Sequence, residues 1–84
     1  MELAFGRGQG AMLGKKFDAA CALFEAIARE WPDGERTPEA YYWWGVGEYR
    51  RGKGLESALP RWRELVTRRP GSQWSRKVEI YLPA

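Results

Sequence analysis

Apolar positions recur at helical spacing along most of the chain, and glycine and proline mark the breaks between them. Leu3 to Leu13 predicts a first helix, loosened by Gly6, Gly8 and Gly10, each costing up to ~1 kcal/mol relative to alanine in a helix interior. Gly14 suits a left-handed stop after Leu13. A second helix is predicted from about Lys16 to Trp31, with Phe17, Ala20, Leu23, Phe24 and Ile27 on its period, and Pro32-Asp33-Gly34 ends it. Thr37-Pro38-Glu39 signals a new start: a hydroxyl to cap free N–H groups, proline at the first helical position and an acid near the positive end of the dipole. This third helix runs to about Arg51, where Arg50 and Arg51 suit the negative end and Gly52-Lys53-Gly54 breaks the chain. Proline clashes in a helix interior, so Pro60 predicts that the fourth helix begins near Ser57, leaving Leu55 and Glu56 in a turn one residue longer than the first. Arg68-Arg69-Pro70-Gly71 closes it, and Ser72 caps a short fifth segment from Gln73 to Leu82.

The first pair of helices and the second repeat one another. Gly14-Lys15-Lys16-Phe17-Asp18-Ala19-Ala20, followed by Phe24, Ile27 and Pro32, is echoed by Gly52-Lys53-Gly54-Leu55-Glu56-Ser57-Ala58, followed by Trp62, Leu65 and Pro70. Gly8 finds its counterpart in Gly45. A duplicated helical hairpin explains the echo, and units of this kind bury a face only against a neighbour. Small residues stand where the helices of each hairpin must touch, which pairs Gly8 with Ala20 and Gly45 with Ala58.

Composition limits what such a chain can do. Eighty-four residues, 44% hydrophobic, allow one small domain, and five Trp, four Tyr and three Phe must supply most of its buried area. A domain this small is marginal alone, so it either self-associates or was cut from a longer chain whose neighbour covers one end, the latter being the favoured expectation. No basic and apolar leader opens the sequence, and no run approaches the roughly 20 apolar residues of a membrane span. Compartment is left open, with the cytoplasm favoured over the periplasm. Cys21 has no second cysteine or histidine with which to build a disulfide, zinc or redox site. In an alanine-rich helix with Lys15 and Lys16 more than a turn away, it reads as a small buried thiol.

The small residues at the hairpin crossings, the large ones around them (Phe17 and Phe24, then Tyr41, Trp44 and Trp62) and the closing prolines resemble the tetratricopeptide repeat family, in a bacterial form. The resemblance covers nearly the whole chain: a first repeat over about 3–34, a second over about 38–71 and a capping helix over about 73–82. It implies an all-α fold of two antiparallel helix hairpins and a C-terminal capping helix, a short right-handed α-solenoid. The sequence departs from the family at Ala4, where an early Trp or Tyr is usual, and at Glu48, where Tyr is preferred and Tyr49 stands beside it. The link from Pro32 to Ala40 is longer than the family norm, matches a bacterial subgroup and is echoed by Pro70 to Lys77. Such repeats occur in bacterial envelope assembly proteins, and the arrangement also looks like the extension that follows a thioredoxin-like domain in some bacterial proteins.

In that family the first helix of each unit lines a concave groove. By the resemblance Phe5, Gln9, Met12 and Leu13 in the first unit, with Tyr42, Val46, Tyr49 and Arg50 in the second, would face a protein or peptide, an apolar and aromatic surface with one cation. The competing reading makes several of these core, because a two-unit stack needs nearly every apolar side chain for burial. Members that grip a terminal carboxylate use lysine and asparagine where this chain has Phe5, Gln9 and Trp43, which argues against such a clamp. The expected role is therefore a non-catalytic interaction or assembly scaffold without a cofactor or metal.

Other functions have weaker footing. Histidine is absent, Glu25, Glu30 and Glu64 read as solvated faces among arginines, and Gly6-Arg7-Gly8-Gln9-Gly10 has no preceding strand to make it a dinucleotide loop. Nucleic-acid binding is the stronger rival, since Lys and Arg total 14 against 11 acids and crowd into Arg61 to Arg69, Arg76 and Lys77 beside Trp62 and Trp74. A net charge of +3 is modest for that task, and the arginines also suit helix C-terminal ends or alternate with Glu64. Self-association, a homodimer meeting through Val78, Ile80, Tyr81 and Leu82, is the remaining alternative.

Overall fold

The computed structural model describes residues 1–52 and 54–83. Among them it has five α-helices and no strand: α1 Glu2–Leu13, α2 Phe17–Glu30, α3 Thr37–Arg51, α4 Leu55–Arg68 and α5 Gln73–Glu79. Each helix packs on the next, and α5 folds back onto both α4 and α3. Phe5 and Gly8 meet Phe24, Cys21 meets Trp44 and Gly47, and Tyr41 meets Glu64, so α1 through α4 run alternately up and down. A Cα radius of gyration of 11.7 Å matches the roughly 12 Å of a compact chain of this length, so the helices form one body.

The hairpins close on aromatic side chains set into glycines. A β-carbon on Gly8 would lie 2.7 Å from the fully buried Phe24 ring, and one on Gly45 would overlap the Trp62 indole. Both Ala20 and Ala58, the expected partners of these glycines, are fully buried, and the space nearest each missing Cβ is filled by the aromatic residue one turn further on. A ring needs more room than a methyl group, which is why the opposite position gives up its Cβ entirely.

Three backbone expectations also change. The left-handed residue after α1 is Lys15 (φ 59), whereas Gly14 stays at φ −81. Lys15 N–H donates to the Met12 carbonyl at 3.0 Å and Lys16 N–H to that of Ala11 at 2.8 Å, the paired bonds of a Schellman ending, which puts the left-handed residue one position beyond the cap. α4 starts at Leu55 and carries Pro60 within it. Gly54 turns the chain at φ 91, Ser57 N–H meets its carbonyl at 3.0 Å, and burial of Ala58 and Trp62 outweighs the one helical bond that proline removes. The extra residue of the second unit therefore belongs to α3, and both turns span three positions; Lys53, within the predicted break, lies outside the described residues. α5 ends at Glu79 and relaxes into i→i+3 turns, with Tyr81 N–H on Val78 O and Leu82 N–H on Glu79 O.

One hydrogen bond recurs between the units. Thr37 does not cap α3; its buried hydroxyl donates to the carbonyl of Trp31, fastening the start of α3 to the end of α2. Ser75, 38 positions later and also fully buried, donates to Arg69 O at 2.5 Å, fastening α5 to the end of α4 in the same way. Ser72 does cap α5, accepting from Ser75 N–H at 3.0 Å.

Candidate functional site

On α3, Tyr42, Val46 and Tyr49 stand at i, i+4 and i+7 and form one stripe. Leu55 and Trp62 from α4, Lys77 from α5 and Tyr81 from the turn after it meet that stripe around an open cleft of ≈ 400 Å³. Trp62, 5% exposed, is its floor. The indole donates from Nε1 to Tyr42 O at 3.2 Å and lies against the Tyr42 ring at 14° between planes, which fixes its orientation. Tyr42 also meets Trp74 at 5.0 Å between centroids, and Tyr81 meets Trp62 at 5.5 Å. Tyr49 and Tyr81 are about half exposed and form the walls, so the cleft is a fixed floor with accessible aromatic sides. The Lys77 ammonium, 5.7 Å from the Trp74 ring centroid, is the one charged group among the described lining residues.

Of the residues the sequence nominates, Tyr42, Val46 and Tyr49 lie in this cleft. Arg50 does not; its guanidinium covers the Phe17 ring on α2 at 4.9 Å. Phe5 is 2% exposed, edge-on to Phe24 and covered by Arg36 at 3.9 Å, so it serves the core, as the competing reading anticipates. Gln9 is half-buried, Met12 reaches toward Gly47, and Leu13 points into open space. Leu55, Trp62, Lys77 and Tyr81 are the lining residues that sequence reasoning did not nominate. Trp62 was legible as a core residue or a stacking platform for bases, and Tyr81 as part of the cap or of a homodimer contact, neither as part of this cleft.

Glu64 corrects another expectation. It is not on a solvated face: its carboxylate is largely covered, and Oε2 accepts from Tyr41 OH at 2.9 Å, Arg29 Nη1 at 3.1 Å and Arg68 Nε at 3.1 Å. Burial acts to raise the Glu64 pKa, but the bonds from Tyr41 and Arg29 and the charges of Arg29 and Arg68 outweigh it and hold the carboxyl below its ordinary range. The Tyr41 hydroxyl is pushed up, first by burial and then by its bond to Glu64. Arg29 and Arg61 also lie against the Trp44 ring, at 5.4 and 4.5 Å from its centroid. Arg69 donates to Pro32 O and Gly34 O at 2.9 and 3.3 Å. Arg61, Arg68 and Arg69 are thereby committed to contacts within the fold, which leaves less of the Arg61 to Arg69 cluster for phosphate.

Cys21 is buried, with its sulfur 3.8 Å from Trp44 O and close against Gly47. Burial, then the charge of Glu48, pushes its pKa up to about 11, so the unreactive thiol is the form present at neutral pH. No described helix is long and apolar enough to cross a membrane. Comparison with protein-family models, with curated proteins and with solved structures found no match.

Proposed function

We propose that this chain is a tetratricopeptide-like interaction module, two hairpins and a capping helix, that holds a protein segment in the cleft between α3, α4 and α5. The cleft carries this reading: half-exposed aromatic walls stand over a floor held by its own hydrogen bond. The recurrence of the Gly8–Phe24 contact at Gly45–Trp62, and of the Thr37 bond at Ser75, supports the repeat architecture. In a non-catalytic scaffold the stripe of α3 would be the principal contact surface and α5 its second wall.

Selection of peptides from a random displayed library tests the reading. Peptides captured by the native protein are expected to lose at least tenfold in affinity when Tyr49 and Tyr81 are both changed to Ser, with the fold retained by circular dichroism. Retained affinity would take the site away from this cleft. Self-association is the second reading, favoured by Leu13 at the end of α1 and Ile80 just after α5, which are 87% and 80% exposed. Light scattering across a concentration series separates them: a dimer that disperses on Leu13→Glu or Ile80→Glu would make copies of this chain its own partner.

A further inference from the structure

We infer that the segment this cleft accepts is acidic: an aromatic or long aliphatic anchor side chain with an aspartate or glutamate beside it, contributed by a partner protein. This rests on the reading of the cleft as an interaction site and adds the chemistry of its occupant. Three observations carry it. The described residues around the cleft form helices and a turn and no strand, so they offer no sheet edge for strand addition and recognition falls to side chains. The space of ≈ 400 Å³ sits at the lower end of the roughly 300–1,000 Å³ of pockets that take a single compact ligand, which suits one or two large apolar groups.

Charge decides the rest. Among the described residues Lys77 is the charged one lining the cleft and no carboxylate lines it; Glu48, next to Tyr49 in sequence, is held by Arg51 at 2.7 Å. A basic or quaternary ammonium group would enter an aromatic surroundings that suits a cation in itself, but would meet the Lys77 ammonium and no acid. An acid beside the anchor would instead pair with Lys77 at the rim, while the anchor covers Trp62 and displaces water from Tyr49 and Tyr81.

The test is a double-mutant cycle read by fluorescence titration at low salt. The probes are a capped acidic peptide with a central Phe-Leu pair and its amide isostere, Asn and Gln replacing Asp and Glu. The acidic peptide is expected to bind the native protein more tightly, and Lys77→Gln to weaken it by about threefold to fivefold, the size of an exposed ion pair. Lys77→Glu should invert the preference, and added salt should erase it. Equal affinity for the two peptides, a preference unchanged by Lys77→Glu, or no binding of either at millimolar peptide would overturn the inference. A fourth protein, Tyr49→Ser with Tyr81→Ser, separates this from failure of the underlying reading. If both peptides bind equally but lose affinity in that variant, the cleft stands and only its charge preference falls; if the variant binds both peptides as the native protein does, the cleft itself is wrong.

Discussion

At the α1–α2 crossing Gly8 makes room for Phe24, and at the α3–α4 crossing Gly45 makes room for Trp62. The surroundings of the two rings differ. Phe24 meets the edge of Phe5, with no polar group to orient it. Trp62 donates a hydrogen bond to Tyr42 O, lies between Tyr42 and Tyr81, and has the Glu64 cluster a short way along its own helix. α1 buries only Phe5 and Gly8, leaving Leu3 and Leu13 in solvent, whereas α3 is buried against α2, α4 and α5. The first hairpin is thus closed by apolar packing alone, while the second adds directional bonds that fix how its aromatic rings stand. A ring held in one orientation makes a usable binding floor, which is why the cleft forms at the second crossing.

Filling the two glycine sites breaks the comparison most sharply. Gly45→Ala would drive a methyl group onto the Nε1 edge of an indole that its hydrogen bond and two aromatic neighbours hold in place. A loss of about 3 kcal/mol is expected, at the upper end of ordinary overpacking, together with loss of the cleft floor. Gly8→Ala meets the far edge of the Phe24 ring, which has no such bond, and should cost about 1–2 kcal/mol. Chemical denaturation of both variants ranks them. Equal losses would mean that the polar fixing of Trp62 contributes nothing to rigidity.

Much of this was legible because it is local. Glycine and proline punctuate the helices, and the echo of Gly14 to Pro32 in Gly52 to Pro70 identified the two hairpins. Pro60 misled for the same reason: a local rule shortened α4, while the burial of Ala58 and Trp62 against α3, a tertiary effect, sets where it starts. The α3 stripe of the cleft was nominated only through the resemblance to tetratricopeptide repeats, and Lys77 and Tyr81 join it because α5 and the turn after it fold back over α3. Glu64 was misread as solvated because its partners Tyr41 and Arg29 are 23 and 35 positions away, beyond any helical spacing. The Thr37 hydroxyl was read as a cap and Ser75 was given no role; their acceptors are carbonyls six positions back, at the ends of the preceding helices, outside the cap spacing.

Glu64 gives the comparison its pH dependence. Its carboxyl titrates below the ordinary range in the folded state, so its contribution is fully present above the unfolded value of about 4.3 and is lost as pH falls through the lower folded value. Glu64→Gln removes the charge that Tyr41, Arg29 and Arg68 share, and a loss of about 1–2 kcal/mol at neutral pH is expected. The gap between native protein and variant should narrow as pH falls below about 4.3 and close once pH passes below the lowered folded value, where the native carboxyl is protonated as well. Denaturation midpoints at several pH values check this. A gap that stays constant into acid would show that shape rather than charge sets the cost.

The smallest effect lies in the turns, where the second hairpin again has the better chemistry. Gly54 carries the positive φ of the α3–α4 turn without a β-carbon to strain, while the α1–α2 turn imposes φ 59 on Lys15. A left-handed conformation costs a non-glycine residue roughly 1–2 kcal/mol, and glycine returns part of that gain through its greater freedom when unfolded. Lys15→Gly should therefore stabilise by about 0.5–1 kcal/mol, a rise of roughly 2–8 °C in Tm for a domain of this size. The reciprocal change, Gly54→Lys, should lower Tm by more, since its φ of 91 with ψ −153 lies in a region open essentially to glycine alone. A rise for the first variant and a fall for the second would tie the weakness of the first hairpin to its turn as well as to its sparse core. If Lys15→Gly leaves Tm unchanged, the whole difference between the hairpins rests on the bonds around Trp62 and Glu64.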